Sequence, residues 1–268
     1  MSAPGLTLSI FIVLGALALA ILMSVAIRRV GARRPLVKEL STTSRRPGDI
    51  FFVYGVILGL ILVTAINNFN ATRKSASTEA SALVSMARSA SALPPGLRDD
   101  LDHQLVCYAR LARNEEWPAM ARGGSSPFVS TAADRLPQTL ARAARDPQAP
   151  STIVSSLITA ERDLSNSRRE RLDAVNGSLP GPFWFVLIAG GLLVVMLSAL
   201  MMYSEFAYLQ MFIAGGAAVL IAAAIILVAS FDRPFSNGDI RIGSERMEAA
   251  LVSVNAISPD PRVDRPCP

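Results

Sequence analysis

Residues 183–203 read FWFVLIAGGLLVVMLSALMMY, 21 positions without one acidic, basic or histidine side chain. About 20 such residues wound as an α-helix cross the hydrocarbon core of a bilayer. A helix also satisfies its own backbone polar groups, which lipid cannot do. The stretch therefore reads as a transmembrane helix. Three others share its character: Leu6–Ile27, Ile50–Ile66 and Tyr208–Phe231. The second is the shortest, close to the lower limit of about 17 residues. It is expected to continue as a helix past Asn67 and Asn68 into water.

The whole chain agrees. Of its 268 residues, 51% are hydrophobic and 18% charged, against about 25% charged in an average soluble domain. Mean hydropathy is +0.39. The apolar excess lies in blocks, as membrane spans require. The first block is read as a retained anchor, because residues 1–6 lack the positive charge of a signal peptide. Only Ser204, Glu205, Phe206 and Ala207 separate the last two blocks, which forces an antiparallel hairpin. The expected fold is all-α, a four-helix integral membrane protein with an inserted water-facing helical bundle. Its parts are a hairpin at 1–66, a helical extramembrane region at 67–181, a second hairpin at 182–231 and a polar tail at 232–268, ending in a disordered stretch from Ser258.

Gly55 and Gly59 form a GxxxG pattern, while Gly190–Gly191 and Gly215–Gly216 lie mid-span. These glycines either pack the helices of one chain, the preferred reading, or meet a second copy. In the central region, Ala80, Leu83, Val84, Ala87 and Ala90 keep a helical period until Pro94 and Pro95. Leu97, Leu101, Leu105, Tyr108 and Ala112 form a second stripe, expected to end near Trp117-Pro118. A loop follows at Gly123–Pro127, then a short helix over Thr131–Arg145, disturbed by Pro137. The last helix covers about Ser151–Val175, with Ser151 as its cap. Together these predict an antiparallel bundle at the membrane surface.

The loop from Arg28 to Asp49 holds seven basic and two acidic residues, most of the net charge of +5 being local to it. Short basic loops stay in the cytoplasm. The N-terminus, the central region and the C-terminus are then expected outside the cell membrane. Cys107 and Cys267 could pair there, but two isolated inert thiols are expected.

Little catalytic chemistry is legible. No phosphate-binding loop or nucleophile elbow occurs. The single histidine, His103, is read as solvated, and Glu115 and Glu116 as a solvated helix end with Trp117 covering the bundle. The expectation is no enzyme, no cofactor, no metal site and no nucleic acid. The lipid bilayer is the expected surrounding, a homo-oligomer a candidate assembly, and any protein partner is unidentified. Arg73, Lys74, Arg168 and Arg169 could attract anions to a mouth. The preferred reading pairs them with acidic neighbours such as Glu79 and Glu170.

Four strings occur in order: Phe51-Phe52-Val53-Tyr54-Gly55-Val56, Glu115-Glu116-Trp117-Pro118-Ala119-Met120, Ser167-Arg168-Arg169-Glu170-Arg171-Leu172 and Asp232-Arg233-Pro234-Phe235-Ser236. Over about residues 45–245 the chain resembles a bacterial bestrophin-like membrane family. Glu116, Trp117, Pro118, Asp232, Arg233 and Pro234 carry much of that likeness. The resemblance implies a distant relation to bestrophins, which are oligomeric anion channels. It would make Phe51, Phe52, Tyr54, Gly55 and Gly59 candidates for a pore lining or an interface. It also implies a cytosolic central region, against the charge reading, and the charge reading is kept. The alternative to a channel is a non-conducting scaffold acting through the central bundle.

Overall fold

The computed structural model describes residues 6–31, 48–201, 207–257 and 267. Its long helices are α1 (Leu6–Gly31), α2 (Gly48–Ala90) and α3 (Pro95–Leu111), then α5 (Pro127–Ala143) and α6 (Ser151–Asp173) after the short α4 (Trp117–Ala121), and finally α7 (Gly181–Met201), α8 (Ala207–Asp232) and α9 (Glu245–Ile257). A π-helical turn, Ala112–Glu116, joins α3 to α4. Among the described residues there is no strand. Four helices are long and apolar enough to cross a membrane, over Thr7–Arg29, Asp49–Ala90, Gly181–Leu200 and Tyr208–Asp232. The chain is an all-α membrane protein. The basic loop at 32–47, the connection at 202–206 and the tail at 258–266 lie outside the described residues.

The chain divides into two compact units. The membrane unit holds the described residues through Asn68, then Ser178–Asp232 and Asn237–Ile240. Here α1 packs on α7 and α8, and α7 on α8. Small residues set the approach: Ala20 of α1 meets Val195 of α7 and Ala218 of α8, with Ala16 and Ile221 alongside. A second cluster joins Ile61 and Ala65 of α2 to Leu187 and Val228. Gly190 and Gly191 admit the Tyr54 ring, since a Cβ at Gly190 would stand 2.8 Å from it. The preferred packing of glycines within one chain holds for these two and for Gly215, whose added Cβ would stand 2.8 Å from Leu17. A Cβ added at Gly55, Gly59 or Gly216 would meet no described atom within 4 Å.

The bundle unit holds Phe69–Gly177, Arg233–Ser236 and the described residues from Arg241 onward. Its helices differ from the sequence reading in four places. Trp117-Pro118 ends no helix, because the π turn absorbs an extra residue and Pro118 falls in the first turn of α4, where its missing N–H costs nothing. α5 begins at Pro127 and runs through Pro137, held by a buried stripe of Val129, Ala132, Leu136, Leu140 and Ala143. Ser151 is not the cap of α6; Pro150 occupies that position and no side chain caps it. The polar tail contains α9, which buries Met247, Ala250 and Val254 and packs on α3.

That packing explains a further correction. Cys107 of α3 and Cys267 form a disulfide, with Cα atoms 5.4 Å apart. The expectation of two inert thiols fails because 160 residues of sequence separation conceal the proximity that α9 creates. His103 is half-buried, its Nε2 lying 3.7 Å from the Cys107 sulfur. Crosslinking so long a loop restricts the unfolded chain and should stabilise the fold by about 2–5 kcal/mol. We expect denatured, unreduced protein to show no free thiol by dye titration, and reductant to lower the urea midpoint of the bundle. Two reactive thiols per unreduced chain would contradict the pairing.

Candidate functional site

In the membrane unit, the outer face of α2 carries the candidate site. Phe52, Val56, Gly59 and Val63 recur at intervals of four, three and four, which places them on one helical face. Phe52 is 72% exposed, Val56 45% and Val63 55%. Gly55 and Gly59 flatten this surface, and a Cβ added at either would meet nothing within 4 Å among the described residues. Phe51 is half-buried. Tyr54 points the other way: it is buried against Gly190 and Gly191, and its hydroxyl donates to the Leu187 carbonyl at 2.9 Å. A pore-lining role for Tyr54 is therefore corrected to a packing role within the unit.

Asp232 closes the same unit at the end of α8. Its Oδ1 accepts the backbone N–H groups of Ser178 at 2.8 Å and Leu179 at 2.9 Å, just before α7. The carboxylate thus satisfies two donors that no helix serves. Pro234, in the bundle unit, supplies a carbonyl to the Ile242 N–H at 2.7 Å, and Arg233 one to Ser236.

Within the bundle unit two of the four strings meet. Arg171 of α6 is fully buried, as are Glu79 of α2 and Glu116 of the π turn. Arg171 forks onto Glu79, its Nε 2.6 Å from Oε2 and its Nη2 2.9 Å from Oε1. The same Nη2 donates to Glu116 Oε2 at 2.6 Å. Arg168 donates to the other Glu116 oxygen at 2.5 Å and to Ser130 of α5 at 3.1 Å. Tyr108 of α3 donates to Glu79 at 2.7 Å. The Arg171 guanidinium also lies 4.2 Å from the Trp117 ring centroid, while the indole N–H donates to the Ile242 carbonyl at 3.2 Å.

Two carboxylates and two guanidiniums leave this cluster formally neutral. Burial works against the charged form of Arg171, yet the Glu79 and Glu116 carboxylates outweigh it and hold its pKa above the ordinary arginine value. Burial, followed by the nearby Glu79 charge, pushes the Tyr108 hydroxyl well above its usual range. Both phenol and guanidinium therefore stay protonated at neutral pH.

The cluster corrects one expectation. Glu116 is no solvated helix end; the π turn rotates it inward, while Glu115 stays exposed and Pro118 lies at the surface. Arg168 follows the preferred reading of a paired charge, with Glu116 as its acidic partner and its side chain 12% exposed. Arg169 is exposed and folds back on Asn166 and Ser165. Arg73 and Lys74 are exposed, and no ion pair among the described residues holds either. Glu170 accepts from Ser75 at 2.6 Å instead of pairing with an arginine of the mouth set. Among the described residues no group of three metal-ligating side chains occurs.

Replacing Arg171 by Met would strand two buried carboxylates with only Arg168 and Tyr108 beside them. Breaking one side of a buried ion pair costs about 3–5 kcal/mol. We expect Arg171→Met to lose that much in chemical denaturation of detergent-purified protein, and Arg169→Met to change little. Equal stability of the two variants would show that the cluster does not hold the bundle.

The Bestrophin-like domain family matches residues 50–247. No curated protein sequence matches the chain. Among solved structures, a bacterial bestrophin homologue from Klebsiella pneumoniae is similar in several crystal structures. A point-mutant structure of it superposes with a TM-score of 0.76 at 11% identity, over 92% of this chain and 98% of that one. A structure of it solved by Zn-SAD phasing gives 0.74 at 10% identity, over 91% and 97%. A crystal structure titled only as a membrane protein gives 0.74 at 11%, over 91% and 98%. At such identities the likeness establishes the fold. With the family match extending over most of its length, the chain belongs to the Bestrophin-like family.

Proposed function

We propose that several copies of this chain assemble in the membrane around the outer face of α2 and conduct small anions. The observation that carries this reading is the face itself. Phe52, Val56 and Val63 are presented outward beside Gly55 and Gly59, where a Cβ would meet no described atom within 4 Å. Glycines on an uncovered helical face allow close approach by a second helix in lipid. A ring of apolar side chains around an axis can gate a pore by excluding water. The family's relation to bestrophins supports an oligomer and anions. Arg73 and Lys74, exposed further along the same helix, would raise local anion concentration.

Purified protein in chloride-loaded liposomes should pass anions. Val63→Glu, on the α2 face, should abolish the flux or turn its preference toward cations. Phe212→Ala, at a 79% exposed position of α8, should leave it unchanged. An assembled oligomer without flux would end the channel reading and favour the scaffold.

The bundle unit is further inferred to face an oxidising compartment. Disulfides persist outside the cytoplasm and are rare within it, and Cys107–Cys267 belongs to that unit. The basic residues of the 28–49 segment support the same orientation. A reporter active only in the periplasm, fused after Pro268, should be active. Activity of a cytoplasm-restricted reporter at that site would reverse the orientation.

A further inference from the structure

The bundle unit contains a cavity outside the ion-pair cluster, and of its lining residues the proposed pore draws only on Arg73. Its volume is about 350 Å³, and Phe69, Arg73, Arg241, Ile242, Glu245 and Arg246 line it. That volume falls in the usual range for small-molecule sites, about 300–1,000 Å³. The residues come from three places in sequence. Phe69 and Arg73 lie one turn apart on α2, Arg241 and Ile242 follow the Asp232–Ser236 turn, and Glu245 and Arg246 open α9.

The charge in this wall is unbalanced. Three arginines and one glutamate stand in it, all four exposed to solvent. No hydrogen bond or ion pair among the described residues engages Arg73, Arg241 or Arg246. The Glu245 carboxylate folds back against Gly243 instead, in the space that a side chain at Gly243 would take. This contrasts with the buried cluster of the same unit, where each arginine meets a carboxylate. Like charges converging on one cavity without counter-charge repel each other, and an anion relieves that repulsion.

Arginine also selects among anions. Its planar fork matches the paired oxygens of phosphate and carboxylate, whereas a halide offers no such geometry. Three forks can serve every terminal oxygen of a phosphate, two on a diester or three on a monoester. Arg246 lines a second cavity as well, of about 310 Å³, with Arg88 and the hydroxyls of Ser77, Ser81, Ser85 and Ser253. Ser81 and Ser253 spend their protons on the carbonyls of Ser77 and Ala249, which leaves their oxygens free to accept from a ligand. The two cavities share Arg246 and so adjoin.

We propose that this pair of cavities binds a phosphate ester, the phosphate among Arg73, Arg241 and Arg246 and a hydroxyl-bearing remainder along the serines. Two sources share that chemistry: a glycerophospholipid headgroup and a soluble sugar or glycerol phosphate. The site does not depend on conduction, so a failure of anion flux leaves it standing.

The test uses the full chain in detergent or nanodiscs. One arm titrates glycerol 3-phosphate against the melting temperature. The other compares phosphatidylglycerol with phosphatidylcholine retained on the protein in native mass spectrometry. We expect at least one phosphate probe to bind, and Arg73→Gln/Arg246→Gln to weaken it at least about tenfold, the loss expected for charge-assisted hydrogen bonds. Arg145→Gln, at an exposed arginine elsewhere in the unit, should bind like the wild type. Arg246→Lys keeps the charge, loses the fork and should fall between. Response to phosphatidylglycerol alone assigns a lipid headgroup; response to glycerol 3-phosphate alone assigns a soluble ester. Binding of neither probe, or equal binding by wild type and double variant at an unchanged unliganded melting temperature, would overturn the proposal.

Discussion

Arg171 is a permanent charge removed from water, and the helices of the bundle unit are arranged around that fact. Transferring a guanidinium from water to a protein interior costs several kcal/mol even after relaxation. The cost is met only if carboxylates come with it at hydrogen-bonding distance. Glu79 and Glu116 do so from two different segments, and Tyr108, Trp117 and Met120 complete the shell. A buried ion pair adds little net stability over a well-packed apolar core. Its effect is to make alternatives expensive, since any other register of α6 against α2 would leave charges without partners. The family-like strings around Glu116 and Arg171 are therefore better understood as the bundle's internal fastening than as a mouth for ions.

The membrane unit obeys a different constraint. Lipid offers no hydrophobic drive between helices, so close backbone contact and shared hydrogen bonds must hold them. Gly190 and Gly191 give the Tyr54 ring its seat, and Gln210 reaches the Ala199 carbonyl at 2.6 Å while accepting from Arg28 at 3.2 Å. The glycines of α2 have no such occupant within the chain. That asymmetry, with α7 glycines filled and α2 glycines open, gives the oligomeric reading its physical content.

Much of this was legible before any coordinates. The spans are long uncharged runs, and only one fold class accommodates them. The continuation of α2 past Asn67 followed from a second apolar run barely long enough to cross by itself. The α2 glycine pattern was visible too. What sequence could not supply was convergence. Glu116 looked like an ordinary surface charge, because its neighbour Glu115 conceals which of the two a π turn rotates inward, and nothing local marked Arg171 as its partner. Tyr54 looked equivalent to Phe52 until the α7 glycines distinguished them. Cys107 and Cys267 lie 160 residues apart, and the helix α9 that packs on α3 shortly before Cys267 was not foreseen. The three arginines of the empty-handed cavity likewise come from separate segments, with nothing local to mark them as a set.

An oligomer built on α2 makes the arrangement of copies the decisive quantity. A cryo-electron microscopy reconstruction of the protein in lipid nanodiscs measures it directly. The account predicts several chains about one axis perpendicular to the bilayer, with Phe52, Val56 and Val63 turned toward that axis. A single chain, or a ring whose α2 faces look outward into lipid, would contradict it.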